Sequence, residues 1–206
     1  MRTRRAVIAQ FASSLVTAMV TNNSLSFADI PQEASNWMDQ VFLLQKNRGQ
    51  IGEPPVFSRF RDPIYFLLRP ISWTPSSDEA KKLNAVVAPT GFVTDLASIP
   101  RVFWSLLRPD GEYAYAAILH DYMYWKQDRT RALADETFFL VMKDYGVDPT
   151  AASTIYTAVR AGGQGAWDGN TKLKAAGERR TLKQYPSDAT ITWEKWKAVP
   201  NVFTAD

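Results

Sequence analysis

The chain has 206 residues, 46% of them hydrophobic and 13% aromatic, with no cysteine and a single histidine. That composition excludes thiol nucleophiles, thiolate metal sites and a disulfide scaffold, so an exported form has to hold together by packing. The formal charge of +3 is no evidence for nucleic-acid binding: Arg2, Arg4 and Arg5 are the only charged residues before Asp29, and without them 21 basic residues face 21 acidic ones.

In chain order, Met1-Arg2-Thr3-Arg4-Arg5 is a basic start, Ala6 to Val20 is mostly apolar, and Ser26-Phe27-Ala28 offers small residues where a signal peptidase reads. This layout predicts a secretory signal peptide over residues 1–28 and an exported, periplasmic or secreted, protein. Gln10, Ser13, Ser14 and Thr17 interrupt the apolar run, so no integral membrane span is expected after cleavage. Residues 29–52 form an N-terminal segment in which Trp37 to Leu44 reads as a short helix ended near Gly49 and Gly52. A single α+β core domain is expected over 53–168, followed by a basic tail over 169–206.

Within the core, a small antiparallel β-element is expected over about 55–94. Ile64 to Leu68 is an apolar run of strand length between Pro63 and Pro70, and Ile71-Ser72-Trp73 reads as its extension past a bulge. Asn84 to Ala88 and Phe92 to Thr94 read as two strands around the turn Pro89-Thr90-Gly91. A helical half follows over about 98–165. Ser98 and Pro100 fit the start of a first helix, with Val102, Phe103, Leu106 and Leu107 at helical spacing. Further helices are predicted from about Glu112 to Lys126, from Arg131 to Tyr145 with a stop at Gly146, and from Pro149 or Thr150 to the glycines Gly162, Gly163 and Gly165. In the tail, Trp193 and Trp196 are candidates for docking on the domain.

His120 is the obvious group for acid–base work near neutral pH. Tyr113, Ala117, His120, Asp121 and Tyr124 fall on one face of the helix that carries it, and Ala132, Asp135, Phe139 and Met142 do so on the next. The short polar link Gln127 to Arg131 suits an antiparallel two-helix hairpin, in which His120 and Asp135 can meet. A carboxylate on one ring nitrogen fixes the tautomer and leaves the other to take a proton from water. Asp121 points about 100° around the helix and is a candidate ligand for a hard cation such as Ca²⁺. The same residues also suit a purely structural pair, since a buried imidazole needs hydrogen-bond partners. Asp95 and Ser98 are candidates to face the same cleft, and equally good turn and cap residues. Ser98 lacks a Gly-x-Ser-x-Gly elbow, and one histidine is few for a Zn²⁺ peptidase.

Gly91-Phe92-Val93-Thr94-Asp95-Leu96-Ala97-Ser98-Ile99-Pro100, His120-Asp121-Tyr122-Met123-Tyr124, and Ala134-Asp135 with Phe138 resemble the signature blocks of a bacterial and phage family known only as domain of unknown function 1353. Tyr156, Ala158-Val159-Arg160 and Gly163 resemble its closing block, so the resemblance covers roughly residues 55–167. It implies no activity. His120-Asp121 followed by Tyr124, with an aspartate on the next helix, is more distantly similar to the catalytic helix pair of secreted phospholipase A₂. That similarity implies His120 as the base that activates water, Asp135 as its orienting partner and Asp121 as a ligand for Ca²⁺ that polarises an ester carbonyl. The chain departs from the pattern: no cysteine flanks His120, and no glycine-rich calcium loop precedes it. The expectation is an exported metal-assisted hydrolase, of phospholipase-like esterase type, acting on a lipid or cell-envelope component. The rival is a non-enzymatic envelope or phage-related module in which His120 and Asp135 form a polar pair in the core.

Overall fold

A computed structural model describes residues 48–96 and 113–204. The expected signal peptide, the helix over 37–44, the helix starting at Ser98 and Ser98 itself lie outside the described residues. The architecture is α+β. Six short strands come first: β1 (Gln50–Ile51), β2 (Phe57–Arg59), β3 (Tyr65–Leu67), β4 (Ile71–Thr74), β5 (Val86–Ala88) and β6 (Val93–Thr94). The helices α1 (Ala114–Lys126), α2 (Arg131–Tyr145), α3 (Pro149–Gly162), α4 (Gln164–Ala175) and the short α5 (Trp193–Trp196) follow. No helix among the described residues is long and apolar enough to cross a membrane.

The strands form two antiparallel sheets, in the orders β1-β4-β5 and β2-β3-β6. This corrects one strand expectation. Residues 71–73 do not extend the preceding strand past a bulge, because β3 and β4 lie in different sheets. Pro70, which has no N–H to give a ladder, stands where the chain leaves one sheet for the other. The two strands expected around Pro89-Thr90-Gly91 form, and they belong to different sheets: β5 pairs with β4, and β6 with β3. The turn itself exists, closed by the Phe92 amide on the Pro89 carbonyl at 3.1 Å.

Gly91 in that turn has φ +83°, and a Cβ there would stand 2.0 Å from the Leu182 carbonyl oxygen. Only glycine lets the two backbones approach so closely. The contact brings the C-terminal segment onto the second sheet: Leu182 N–H donates to Gly91 O at 2.9 Å and Val93 N–H to Arg180 O at 2.8 Å. Phe60, Phe66, Val93, Leu182, Trp193 and Val202 close a small core there. Trp193 docks as expected, 7% exposed, with its amide on Asp62 Oδ1 at 3.0 Å.

The larger core lies between the first sheet and the helices. Helix α1 is buried on nearly every side, from Tyr115 through His120 and on to Met123, Tyr124 and Trp125, which makes it a central helix rather than a surface one. The Tyr115 hydroxyl donates to Ser72 O at 2.7 Å and accepts from Ser72 N–H at 3.0 Å, fixing α1 to β4. At the far end of α2, Asp144 Oδ2 accepts from Trp73 Nε1 at 2.8 Å and from Gly49 N–H at 3.0 Å.

The helix limits follow local chemistry. Helix α1 ends where Gln127 turns left-handed, φ 56°. The Thr130 side chain caps α2 by accepting from Leu133 N–H. Gly146 ends α2 with φ 94° while the next amide reaches back to Met142 O, a left-handed C-cap. Asp148 caps α3, with Pro149 in its first turn. The glycines at 162–163 end α3 as expected, but a further helix, α4, starts at once.

Candidate functional site

The hairpin of α1 and α2 brings His120 and Asp135 together: His120 Nε2 lies 2.9 Å from Asp135 Oδ1. Both are sealed, at 1% and 0% exposure. The imidazole stacks on Phe138 with centroids 4.5 Å apart and leans on Tyr124 at 4.1 Å. Tyr124, one turn after His120, donates its hydroxyl to the same Oδ1 at 2.6 Å. The other oxygen, Oδ2, accepts from Arg131 Nη1 at 3.0 Å and from Arg160 Nη1 at 2.8 Å. A carboxylate has about four acceptor positions, and here each oxygen serves two partners.

This set of donors decides the charge and the tautomer. Burial alone would raise the Asp135 pKa, but the hydrogen bond and charge of His120, then Tyr124 and Arg160, outweigh it and hold the group below the ordinary carboxylate value. Burial, then the Asp135 charge, pushes the Tyr124 hydroxyl well above its ordinary value, so it stays a donor. For Arg160, burial works against the charge, yet its hydrogen bond to Asp135 and that carboxylate's charge raise the pKa overall. An ionised Asp135 only accepts, so His120 must present Nε2–H to it. In the neutral imidazole Nδ1 then carries the lone pair. Nδ1 is buried and has no hydrogen-bond partner among the described residues.

The other candidates sit elsewhere. Asp121 does not join Asp135; its Oδ2 accepts the Thr94 hydroxyl from β6, and Thr94 Oγ1 in turn accepts from Leu96 N–H at 3.1 Å. Leu96 has φ 52°, a left-handed backbone that few non-glycine residues adopt. Asp95 lines a cavity of about 40 Å³ with Pro63, Tyr65, Leu96, Tyr113 and Ala117. Such a volume holds on the order of three waters. Ala117 lies one turn before His120 and Asp121, while His120 is not among the described lining residues. Among the described residues no group of three or more His, Asp or Glu side chains stands close enough to hold a metal ion.

Sequence reasoning missed both arginines. Arg131 had a readable signal, since it stands four residues before Asp135 on one helix. Arg160 had no spacing signal, because it reaches Asp135 from a third helix; it stood out only within the closing block of the family resemblance. Sequence pattern marks Gly163 as a helix stop and as part of the closing block of the family resemblance. A Cβ there would meet Tyr124 Oη at 2.5 Å and Val159 O at 2.6 Å, so the glycine lets the α3–α4 junction close over the cluster.

Residues 74–159 match the model of a family described as "Protein of unknown function (DUF1353)". Residues 74–159 thus form a DUF1353 segment. The family match runs from the end of β4 into α3, a narrower span than the expected 55–167. It contains His120, Asp121, Tyr124, Arg131 and Asp135 and stops one residue short of Arg160. The chain is also 32% identical over 118 residues to "Uncharacterized protein y4jT" of Sinorhizobium fredii, an alignment covering 52% of this chain and 34% of that relative. The match thus spans about a third of the relative's length. No solved structure matches the chain. Neither description names an activity for the DUF1353 segment.

Proposed function

We propose that this protein is an exported hydrolase in which His120 acts as general base through Nδ1. The observation that carries the reading is the unequal use of the imidazole. Nε2 is committed to a carboxylate that Tyr124, Arg131 and Arg160 also hold, while Nδ1 is buried without a partner among the described residues. An imidazole kept only for packing would have both nitrogens satisfied. In the proposed reaction Nδ1 takes a proton from water as that water attacks an ester carbonyl. Asp135 stays ionised and stabilises the imidazolium that forms. The proton then passes to the leaving alkoxide, and the ester yields an acid and an alcohol.

A lipid or cell-envelope ester is the substrate class, supported by the likeness of His120-Asp121, Tyr124 and Asp135 to the phospholipase A₂ helix pair and by the signal-like residues 1–28. Ca²⁺ on Asp121 belongs to the same proposal and would supply polarisation of the ester carbonyl. Fatty-acid release from phospholipid vesicles, with Ca²⁺ and with chelator, tests the reading, alongside a panel of simple esters. Equal inertness of the native protein and His120→Ala on all of them would sink it.

A second reading has its own support. His120 and Asp135 are 1% and 0% exposed, as expected of a polar lock in a non-enzymatic envelope or phage-related module. The two readings differ in whether water reaches Nδ1. Acylation of the single histidine by diethyl pyrocarbonate in the folded protein separates them: rapid modification favours the base, and modification only on unfolding favours the lock.

A further inference from the structure

Two guanidinium groups on one carboxylate oxygen is an uneconomical way to neutralise an aspartate. A single arginine fork can span both oxygens with two parallel hydrogen bonds, and that geometry would compete with His120 for Oδ1. Here Arg131 and Arg160 each place one Nη1 on Oδ2, at 3.0 and 2.8 Å, and Oδ1 is left to His120 and Tyr124. Arg131 is itself steered into this end-on pose: its Nη1 and Nη2 donate to the Arg160 carbonyl at 3.3 and 3.4 Å, and Nη1 reaches Val159 O at 3.4 Å. Those carbonyls lie in the last turn of α3, where backbone acceptors are in surplus. With Nη1 and Nη2 both drawn to those carbonyls, Arg131 is held on the Oδ2 side.

We propose that Arg131 and Arg160 are positioning residues that turn the Asp135 carboxylate so that Oδ1 alone faces the imidazole, fixing His120 as its Nε2–H tautomer with Nδ1 bare. The role rests on the general-base reading for its purpose, though not for its geometry. Arg131 comes from the same helix as Asp135, and Arg160 from α3. The arrangement therefore makes the tautomer of His120 depend on the docking of a third helix, with Gly163 allowing Tyr124 to stay within reach of Oδ1.

Because the chain has one histidine, labelling histidine ring nitrogens isotopically in the full chain gives one imidazole to observe by NMR. The native protein is expected to show a single form at neutral pH, with Nε2 protonated and Nδ1 not. Arg160→Gln and Arg131→Gln are each expected to lose that single form and to show a mixture in which Nδ1–H is populated. Arg160→Lys, which retains a cation for Oδ2, is expected to restore much of the Nε2–H form, whereas a merely bracing role would leave the signature untouched in every variant. The Arg160 side chain is 37% exposed, so Arg160→Gln opens no sealed core. Should a glutamine variant still not fold, the native spectrum decides alone: an Nδ1–H tautomer, or two tautomers in the unmodified protein, overturns the proposal. So does a native-like signature in both glutamine variants. The readout needs no substrate, so the expected loss of signature without any hydrolysis supports the positioning role and counts only against the hydrolase reading.

Discussion

Replacing Asp135 by asparagine removes one negative charge from between two guanidinium groups while keeping the side-chain shape. The carboxylate is 0% exposed, against 18% for Arg131 and 37% for Arg160. Breaking a buried ion pair by deleting one partner costs about 3–5 kcal/mol. Solvent screening at the exposed end of Arg160 argues for the lower bound, so about 3 kcal/mol is expected. For a chain of this size that corresponds to a melting temperature lower by roughly 6–12 °C. Urea denaturation should show a lower midpoint with an unchanged slope, because the surface exposed on unfolding is the same. The acid limb adds a second check. The folded-state pKa of Asp135 lies below the ordinary value of 3.8, so its contribution is complete above that value and is lost as pH falls through the depressed folded one. The native protein should therefore lose stability over that window, and Asp135→Asn should show a shallower slope there. A loss under about 1 kcal/mol at neutral pH, the size of one ordinary neutral hydrogen bond, together with an unchanged acid limb, would refute the charge-based account of the cluster.

Tyr124→Phe removes only the hydroxyl that donates to Asp135 at 2.6 Å and should cost about 1.5–3 kcal/mol in chemical denaturation, the range for a hydrogen bond to a charged group. Gly163→Ala sits at φ −73°, where alanine's backbone preference alone would stabilise by about 1 kcal/mol; the contact with Tyr124 Oη should reverse the sign to a loss of about 1–3 kcal/mol, and a rise in melting temperature would contradict the described packing. Gly91→Ala should destabilise by more than the roughly 1 kcal/mol of a left-handed alanine, and hydrogen exchange should accelerate at the amides of Val93 and Leu182, which pair across that contact. If calcium binds through Asp121, Ca²⁺ should raise the melting temperature of the native protein and not of Asp121→Asn; equal behaviour of the two removes that residue as a ligand.

Much of the helical half was legible because its signals are local. Thr130, Gly146, Asp148 and Pro149 each mark a helix end by chemistry confined to a few residues, and α2 runs from Arg131 to Tyr145 as its caps dictate. The sheets were less legible. The apolar runs at 65–67, 71–74, 86–88 and 93–94 do form strands, but nothing in a three-residue run states which neighbour it will pair with. Pro70 and the turn at Gly91 move the chain between sheets. The C-terminal segment was opaque for the same reason: its partners, Gly91 and Val93, lie some ninety residues away.

The candidate site divides along the same line. His120, Tyr124 and Asp135 follow from helical spacing and a short hairpin link, so they were readable together. Asp121 shares their helix, yet the rotation that separates it from His120 sends it to Thr94, out of the Asp135 cluster. Arg160 was named only within the family's closing block, and its role was not legible because it contributes through the crossing of α3 over α2, a tertiary fact without a sequence spacing. A buried aspartate between two helices ought nevertheless to raise the question of what neutralises it, since an ionised carboxylate at 0% exposure is too costly to leave with a neutral imidazole and a phenol alone. Burial of that carboxylate by itself therefore calls for cations, which Arg131 on the same helix and Arg160 on the next supply. Among basic residues following α2, Arg160 lies at the end of the next helix, where an antiparallel return brings it back toward the start of α2. The requirement is physical, and it links the tautomer of the lone histidine to the way three helices pack.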